Sequence, residues 1–467
     1  NNPSVQALVL ESRTAWSDPK LISETITRLK EATGENATGW RIQDARRMLT
    51  FDPTEQNAAA VVTLLSGDSS SSDPMSQLVL ADAMSILGDS GAAADHLERA
   101  IDAGFDNPSL ILKLIAVRMG MGDVDSARRR ALSLAQIEPV SPGIRRERVS
   151  ALVRLGMFDT AEPDGDVLAT SDNPRDIIIA ASLSAQLGDT DEANKRLDRL
   201  TELGNIPDIV LGAALMTLVD ADRVIDAFAL LESARNDDPS ADYVLAEAAL
   251  LERTGRTNDA ADALESAIQI NPNVALYSAQ AKFLARQGRA AEAKAASEAG
   301  LALNATNQEL ILLREAIDLV DAPNSVNLTS GESDAARKVV EAIRQFSVEQ
   351  SDQQALIERL HTITSESPTS YPGWSVLVTQ LQAAGRLEEA AESAQTAMRL
   401  IPGDPRPARL TVDALLLINE PRGALSAAQE WSRRSKRSVD ESYEAETTLA
   451  ALHARMGSNI NAMRVLE

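Results

Sequence analysis

The stretch WSVLVTQLQAAGRLEEAAESAQTAMRLIP, residues 374–402, decides the fold. Trp374, Leu377, Val378 and Leu381 fall at the i, i+3, i+4, i+7 spacing of one helical face. Gly385 then breaks the helix, as expected of a residue that tolerates left-handed backbone angles. Ala390, Ala394 and Ala397 form the narrow seam of a second helix, and Pro402, which has no backbone N–H, stops it. The stretch therefore predicts two helices folded back on each other.

The same plan recurs along the chain. Turn residues stand at Gly88, Gly122, Gly156, Gly188, Asp222, Gly255 and Gly288, separated by 34, 34, 32, 34, 33 and 33 residues. Five positions after each is an alanine: Ala93, Ala127, Ala161, Ala193, Ala227, Ala260 and Ala293. The pair returns at Gly385 and Ala390, Asn419 and Ala424, and Gly457 and Ala462. A fixed period of this length is the mark of a repeat architecture. The alanines have a steric reason, since two helices approach closely only where one presents no bulk.

These residues resemble the tetratricopeptide repeat, a helix–turn–helix unit of about 34 residues, over roughly residues 74–467. The resemblance implies an all-α fold, a right-handed superhelical solenoid of antiparallel helix pairs. It also implies an extended concave surface lined by the first helix of each repeat. Composition agrees: the chain is 44% hydrophobic but only 3% aromatic, with Ala and Leu, the strongest helix formers, dominating its apolar content.

Four segments are expected. Residues 1–66 read as an N-terminal helical segment, with helices near 4–16, 20–33, 40–50 and 54–66; Trp40 followed by Asp52-Pro53 points to degenerate repeats. A polar connector, Gly67 to Pro74, leads into a first array over 74–320, capped by a helix from about Asn307 to Val320. The Gly/Pro-containing stretch 321–333 reads as a linker. A second array follows over 334–467, opening with helices at about 334–349 and 352–366. The rival reading is one long surface loop in a continuous solenoid. Glu162-Pro163-Asp164-Gly165 falls where a regular second helix belongs, so a short or distorted helix is expected there, as a tolerated irregularity. The chain starts at Asn1 without Met, which reads either as a removed targeting segment or as a chosen boundary, and it stops inside a helical pattern, so the natural protein is expected to continue past Glu467.

No catalytic site emerges. There is no cysteine, which removes thiol nucleophiles, disulfides and Cys-ligated zinc together. His96, His361 and His453 stand alone in separate repeats, and no HExxH helix, phosphate loop or nucleophile elbow is present. Neither an enzymatic activity nor a cofactor is expected. No apolar run approaches the ~18 residues that a membrane span needs. With 45 Lys+Arg against 69 Asp+Glu, the formal charge of −24 disfavours nucleic acid as a partner.

What remains is a binding surface. Arg146, Arg154 and Arg175 fall on the non-core side of first helices in neighbouring repeats, and Arg253, Lys282 and Arg286 do so further along. Such a basic stripe suits a protein or peptide partner that is acidic, or a polyanionic polymer, because Arg offers bidentate contacts to carboxylates. The same side chains can instead pair with groove acids such as Glu252 and Glu315. The Lys/Asn set with which some tetratricopeptide domains clamp a chaperone's C-terminal carboxylate is not found around Lys282 and Arg286. A second basic cluster, Arg433-Arg434-Ser435-Lys436-Arg437, reads as a solvated loop between repeats, with an anion or membrane surface as the alternative. The resulting expectation is a non-enzymatic scaffold. Arrays resembling this one occur in periplasmic parts of exopolysaccharide secretion and outer-membrane assembly systems; a cytoplasmic assembly factor or co-chaperone-like adaptor is the alternative.

Overall fold

At ten turns a left-handed residue closes the first helix of a pair. In the computed structural model, all ten turn positions named above have positive φ: eight glycines between 68° and 84°, Asp222 at 60° and Asn419 at 56°. The first of them shows the mechanism. The helix Pro74–Ile86 ends, Gly88 turns back, its N–H donates to the Ser85 carbonyl, and the Asp89 N–H donates to the Met84 carbonyl at 2.9 Å. This is a Schellman motif, which satisfies carbonyls that a helix end leaves orphaned. Asp89 then starts the next helix, its carboxylate accepting from the Ala92 N–H at 2.9 Å. One residue thus ends one helix and caps another, which keeps the turn short. Where that residue is arginine, it pairs with the acid three positions on: Arg223 with Asp226, Arg256 with Asp259, Arg289 with Glu292 and Arg386 with Glu389. The acid then sits in the first turn, where the helix dipole favours negative charge.

The structure describes the chain apart from residues 1, 13, 67–72, 106, 139, 205, 236–239, 308, 312, 315–332, 350–352 and 467. Among the described residues there is no strand. Consecutive helices pack as antiparallel pairs, giving an all-α stack of the tetratricopeptide-like kind. The seam alanines behave as their spacing requires. Ala93, Ala127, Ala161, Ala227, Ala260, Ala293, Ala390 and Ala424 are wholly buried, and Ala193 nearly so. Ala462 is the exception: it is only half-buried, in the last helix, Asn459–Leu466, which has no buried residue.

The chain forms two compact units, Asn1–Val140 and Ser141–Glu467. In the first, helices run Pro3–Glu11, Pro19–Thr33, Thr38–Phe51, Glu55–Leu65, Pro74–Ile86, Ser90–Asp102, Pro108–Gly120 and Val124–Ala135. The first helix is shorter than the 4–16 expected, because Ser12 turns out of the helix and a single 3-10 turn, Ala15–Ser17, follows. Trp40 donates its indole N–H to the carbonyl six residues earlier, Gly34, at 3.1 Å; Trp374 does the same to Pro368 at 2.9 Å. The polar connector over 67–72 lies outside the described residues.

In the second unit, helix pairs run from Pro142–Arg154 with Phe158–Ala169 through Val274–Arg286 with Ala290–Leu303. They resume with Ser333–Glu349 and Gln353–Glu366, close to the boundaries expected, and continue to Asn459–Leu466. Nearly all of the expected linker, and most of the helix before it, lie outside the described residues.

The Pro163 segment differs from its expectation. Phe158–Ala169 is one continuous helix of 12 residues with Pro163 inside it. The two residues after the proline have structural tasks. Asp164, 4% exposed, accepts from Arg148, itself 2% exposed, with Nε to Oδ2 at 2.5 Å; Arg145 reaches the same carboxylate. Gly165 leaves room for a neighbour, since a Cβ there would lie 2.7 Å from Leu183 Cδ2. Buried ion pairing and close helix approach thus account for an unusual sequence.

Candidate functional site

The helices Pro142–Arg154 and Pro174–Leu187 open with a Ser or Asn cap followed by proline, a pre-organised start that fixes where each first turn points. Their core sides bury Leu152, Ile177, Ala180 and Ala181. Their other sides, with the start of Asp208–Asp220, line a cavity of about 900 Å³. Its far wall comes from some 250 residues further along the chain: Gly403, Pro405, Arg434, Ser435, Arg437 and Glu441.

Three of the residues picked from the sequence meet in this cavity. Arg146, Arg154 and Arg175 all line it, joined by Arg437 from the opposite wall. Arg146 is held by Asp176, Nη1 to Oδ1 at 2.7 Å, and Asp176 is buried. Arg175 is exposed, and its guanidinium has no ion pair among the described residues; only its backbone N–H is engaged, by the Asn173 cap. Between the cations lie Val149, Val153, Ile178, Ile179, Ile209 and Val210, with the Ile209 side chain largely exposed. The cavity therefore offers an aliphatic floor and a rim on which Arg146, Arg154, Arg175 and Arg437 outnumber the acids Glu147 and Glu441.

The other three residues do not join it. Lys282 and Arg286 line a separate, smaller cavity of about 320 Å³ and are both neutralised there. Arg286 grips Glu252 through two hydrogen bonds of 2.8 and 2.6 Å, and Lys282 pairs with Glu309. Partial burial of the Glu309 carboxyl opposes ionisation, but the Lys282 ammonium and the Ser278 hydroxyl outweigh it and hold its pKa low. Arg253 pairs with Asp220 at 3.4 Å and reaches Asp440 at 3.8 Å. Burial pushes the Asp220 carboxyl up in spite of Arg437 and Arg253 beside it, and burial likewise raises Glu441. Glu252 thus pairs as the sequence allowed; Glu315 lies outside the described residues.

The basic cluster after Trp431 is not a solvated loop. Arg433, Arg434 and Ser435 complete the helix Pro421–Ser435, and Arg434 is 5% exposed. Its guanidinium donates to the carbonyls of Met398, Ile401 and Asp404 and to Glu430. It closes the end of the helix Leu387–Leu400 and the turn after it, because a planar five-donor group can serve that many acceptors at once. Lys436 and Arg437 are the exposed members. Sequence reading missed Arg434, Arg437 and Glu441 as cavity residues, since nothing local relates them to helices 250 positions earlier. The histidines stay apart: His96 bonds Gln77 at 2.7 Å and His361 faces Glu389 at 3.2 Å. No group of side chains suited to a metal ion exists among the described residues, and no helix there is long and apolar enough to cross a membrane.

The fold and this site define a helix-pair repeat protein with an open cavity on which arginines outnumber acids. No family model and no curated protein matches the sequence. Among solved structures, the chain is similar to one of Naa15/Naa10 bound to HypK-THB, at 13% identity and a TM-score of 0.32, over all of this chain and 68% of that one. It is also similar to yeast Tom70, at 12% identity and a TM-score of 0.41, over 91% of this chain and 98% of that one. Resemblance at this level carries no function across.

Proposed function

We propose that the chain is a tetratricopeptide-type scaffold that holds an acidic protein segment in the cavity between Pro142–Arg154, Pro174–Leu187 and the 403–441 wall. The observation that carries this reading is Arg175, a cation without an ion pair among the described residues, at the rim of an aliphatic floor. In a chain with a formal charge of −24, most arginines have acids at hand. A peptide supplies both a carboxylate for the rim and an apolar side chain for Ile178, Ile179 and Ile209. A hydroxyl-rich polyanionic polymer would leave that floor unused, which favours the peptide. The repeat resemblance supports a binding role over a catalytic one, within an envelope assembly system or, as the alternative, as a cytoplasmic assembly factor.

Fluorescence anisotropy with a panel of labelled peptides tests this. Peptides that pair Asp or Glu with Leu or Ile are expected to bind, and their Lys-substituted counterparts are not. Losing one charge-assisted hydrogen bond costs about 1.5–3 kcal/mol, so Arg175→Glu is expected to weaken binding by roughly ten- to a hundredfold. Equal binding by wild type and variant, or binding of polyuronate in place of peptides, would overturn the reading.

A further inference from the structure

The two walls of the cavity are fitted to each other by residues that neither needs for its own fold. Gly403 is the sharpest case. A Cβ placed on it would lie 2.3 Å from the Val153 carbonyl oxygen and 2.8 Å from both Arg154 Cα and Arg154 O. These are backbone atoms in the last turn of a helix, so no side-chain rotation relieves the clash. The φ of Gly403 is outside the left-handed region, so its own turn does not demand glycine. Only the approach of the other wall does.

Three further contacts agree. Gln186, 8% exposed, donates its side-chain amide to the Arg433 carbonyl at 3.0 Å and to the Arg434 carbonyl at 2.9 Å. Those belong to the last turn of Pro421–Ser435, where helix carbonyls lack intrahelical donors. A side chain from one array thus caps a helix of the other. The Arg433 guanidinium lies 5.4 Å from the centre of the Phe158 ring, within cation–π range. On the other side of the turn, a Cβ on Gly156 would meet the Pro402 carbonyl oxygen at 2.9 Å. Gly156 is also needed by its own turn, at φ 68°, so it is the weaker witness.

We propose that the turn 402–405 and the end of Pro421–Ser435 form a latch: an interaction surface in cis that fits the ends of Pro142–Arg154 and Pro174–Leu187 and creates the cavity by closing on them. The cavity has residues of both arrays in its walls, so it exists only when the latch is shut. Opening separates Arg437 and Glu441 from Arg146 and Arg175 and dissolves the site. That consequence for binding rests on the function proposed above; closure itself does not.

The chain has no cysteine, so pairs of spin labels can be placed without background. Asp191→Cys with Arg422→Cys puts one label on each array, and Glu388→Cys with Arg422→Cys keeps both within the second; all three positions are exposed. Double electron–electron resonance is measured on the full chain without ligand. The wild type is expected to give one narrow inter-array distance. Gly403→Val is expected to lose that population to longer, broader distances while the within-array pair stays narrow. Gln186→Ala, which adds no bulk, is expected to shrink the population and decides the matter if Gly403→Val also broadens the within-array pair. An inter-array distance unchanged in both variants would overturn the latch. So would a wild type with no defined distance, or a signal from mixed singly labelled chains, which would put the contact between molecules. Peptide binding is not read here, so an intact latch with no peptide bound sinks only the proposed function.

Discussion

Replacing Asp164 with alanine exposes how much the unusual Pro163-Asp164-Gly165 segment contributes. Arg148 is among the largest side chains that are fully buried, and Asp164 answers two of its nitrogens as well as Arg145. Arg145 is nearer solvent, its side chain 12% exposed against 2% for Arg148, so it can turn outward when the carboxylate is lost. Arg148 cannot. Breaking a buried pair by removing one partner costs about 3–5 kcal/mol, and Arg148 is then left with only its remaining contacts. In a repeat array stability is largely local, so the loss is expected in the helices Pro142–Arg154 to Pro174–Leu187 and not along the whole chain. Hydrogen–deuterium exchange read by mass spectrometry resolves this. At about 1.4 kcal/mol per factor of ten, amides there that exchange through local opening should do so roughly 10²- to 10³-fold faster. Asn459–Leu466 should be unaffected. Replacing both charges, Arg148→Met with Asp164→Leu, is expected to restore most of the protection, since apolar substitutes for a buried pair are often neutral. Asp164→Ala exchange within tenfold of wild type would refute the reasoning, showing that water or the other contacts of Arg148 compensate its charge.

Ala260→Leu places a branched side chain in a seam position with no exposed surface, so urea denaturation should show a loss of about 1–3 kcal/mol. Asp222→Gly and Asn419→Gly relieve side chains held at φ 60° and 56° and should each raise stability, whereas Gly255→Ala at φ 77° should lower it by about 1 kcal/mol. Glu430 is partly buried, which opposes its ionisation, but Arg433 and Arg434 prevail and bring its pKa down to about 2. Its ion pairs therefore stabilise the fold above the ordinary carboxylate range and are lost as pH falls from about 4.5 toward 2. Trp431 fluorescence followed through acid titration should show Glu430→Gln less stable than wild type at neutral pH but with a flatter decline across that window.

Much of the fold is legible because repetition multiplies a weak local signal. A single glycine five residues before an alanine says little; ten such pairs at a near-constant interval select one backbone solution, and each turn residue takes it. Asp222 and Asn419 could be included without being glycine because the interval placed them and their short polar side chains tolerate left-handed backbone. The site was less visible. Arg146, Arg154 and Arg175, which line the candidate cavity, share a face within neighbouring repeats, which helical periodicity reports. Lys282 and Arg286 met the same criterion, yet Glu309 and Glu252 neutralise them, and pairing of that kind depends on rotamers that spacing does not encode. Contact between helices 250 residues apart has no periodic signature at all. Gly403 reads locally as part of a Pro-Gly-Asp-Pro turn, and only the backbone of Arg154 against it reveals another reason for a glycine. The Pro163 segment misled for a related cause: helix propensity counts proline and glycine as losses, whereas Asp164 and Gly165 are chosen by what lies across from them.

The most direct test of the central claim is photo-crosslinking from within the cavity. A benzophenone amino acid at Ser182, which lines it, is irradiated with the tightest acidic peptide from the binding panel, and the adduct is mapped by mass spectrometry. The account predicts a crosslink from Ser182 to the peptide that Arg175→Glu abolishes. No comparable adduct should form from a second benzophenone at Glu298, on the helix Ala290–Leu303. Crosslinking from Glu298 but not from Ser182, or adducts at Ser182 that persist with Arg175→Glu, would contradict it.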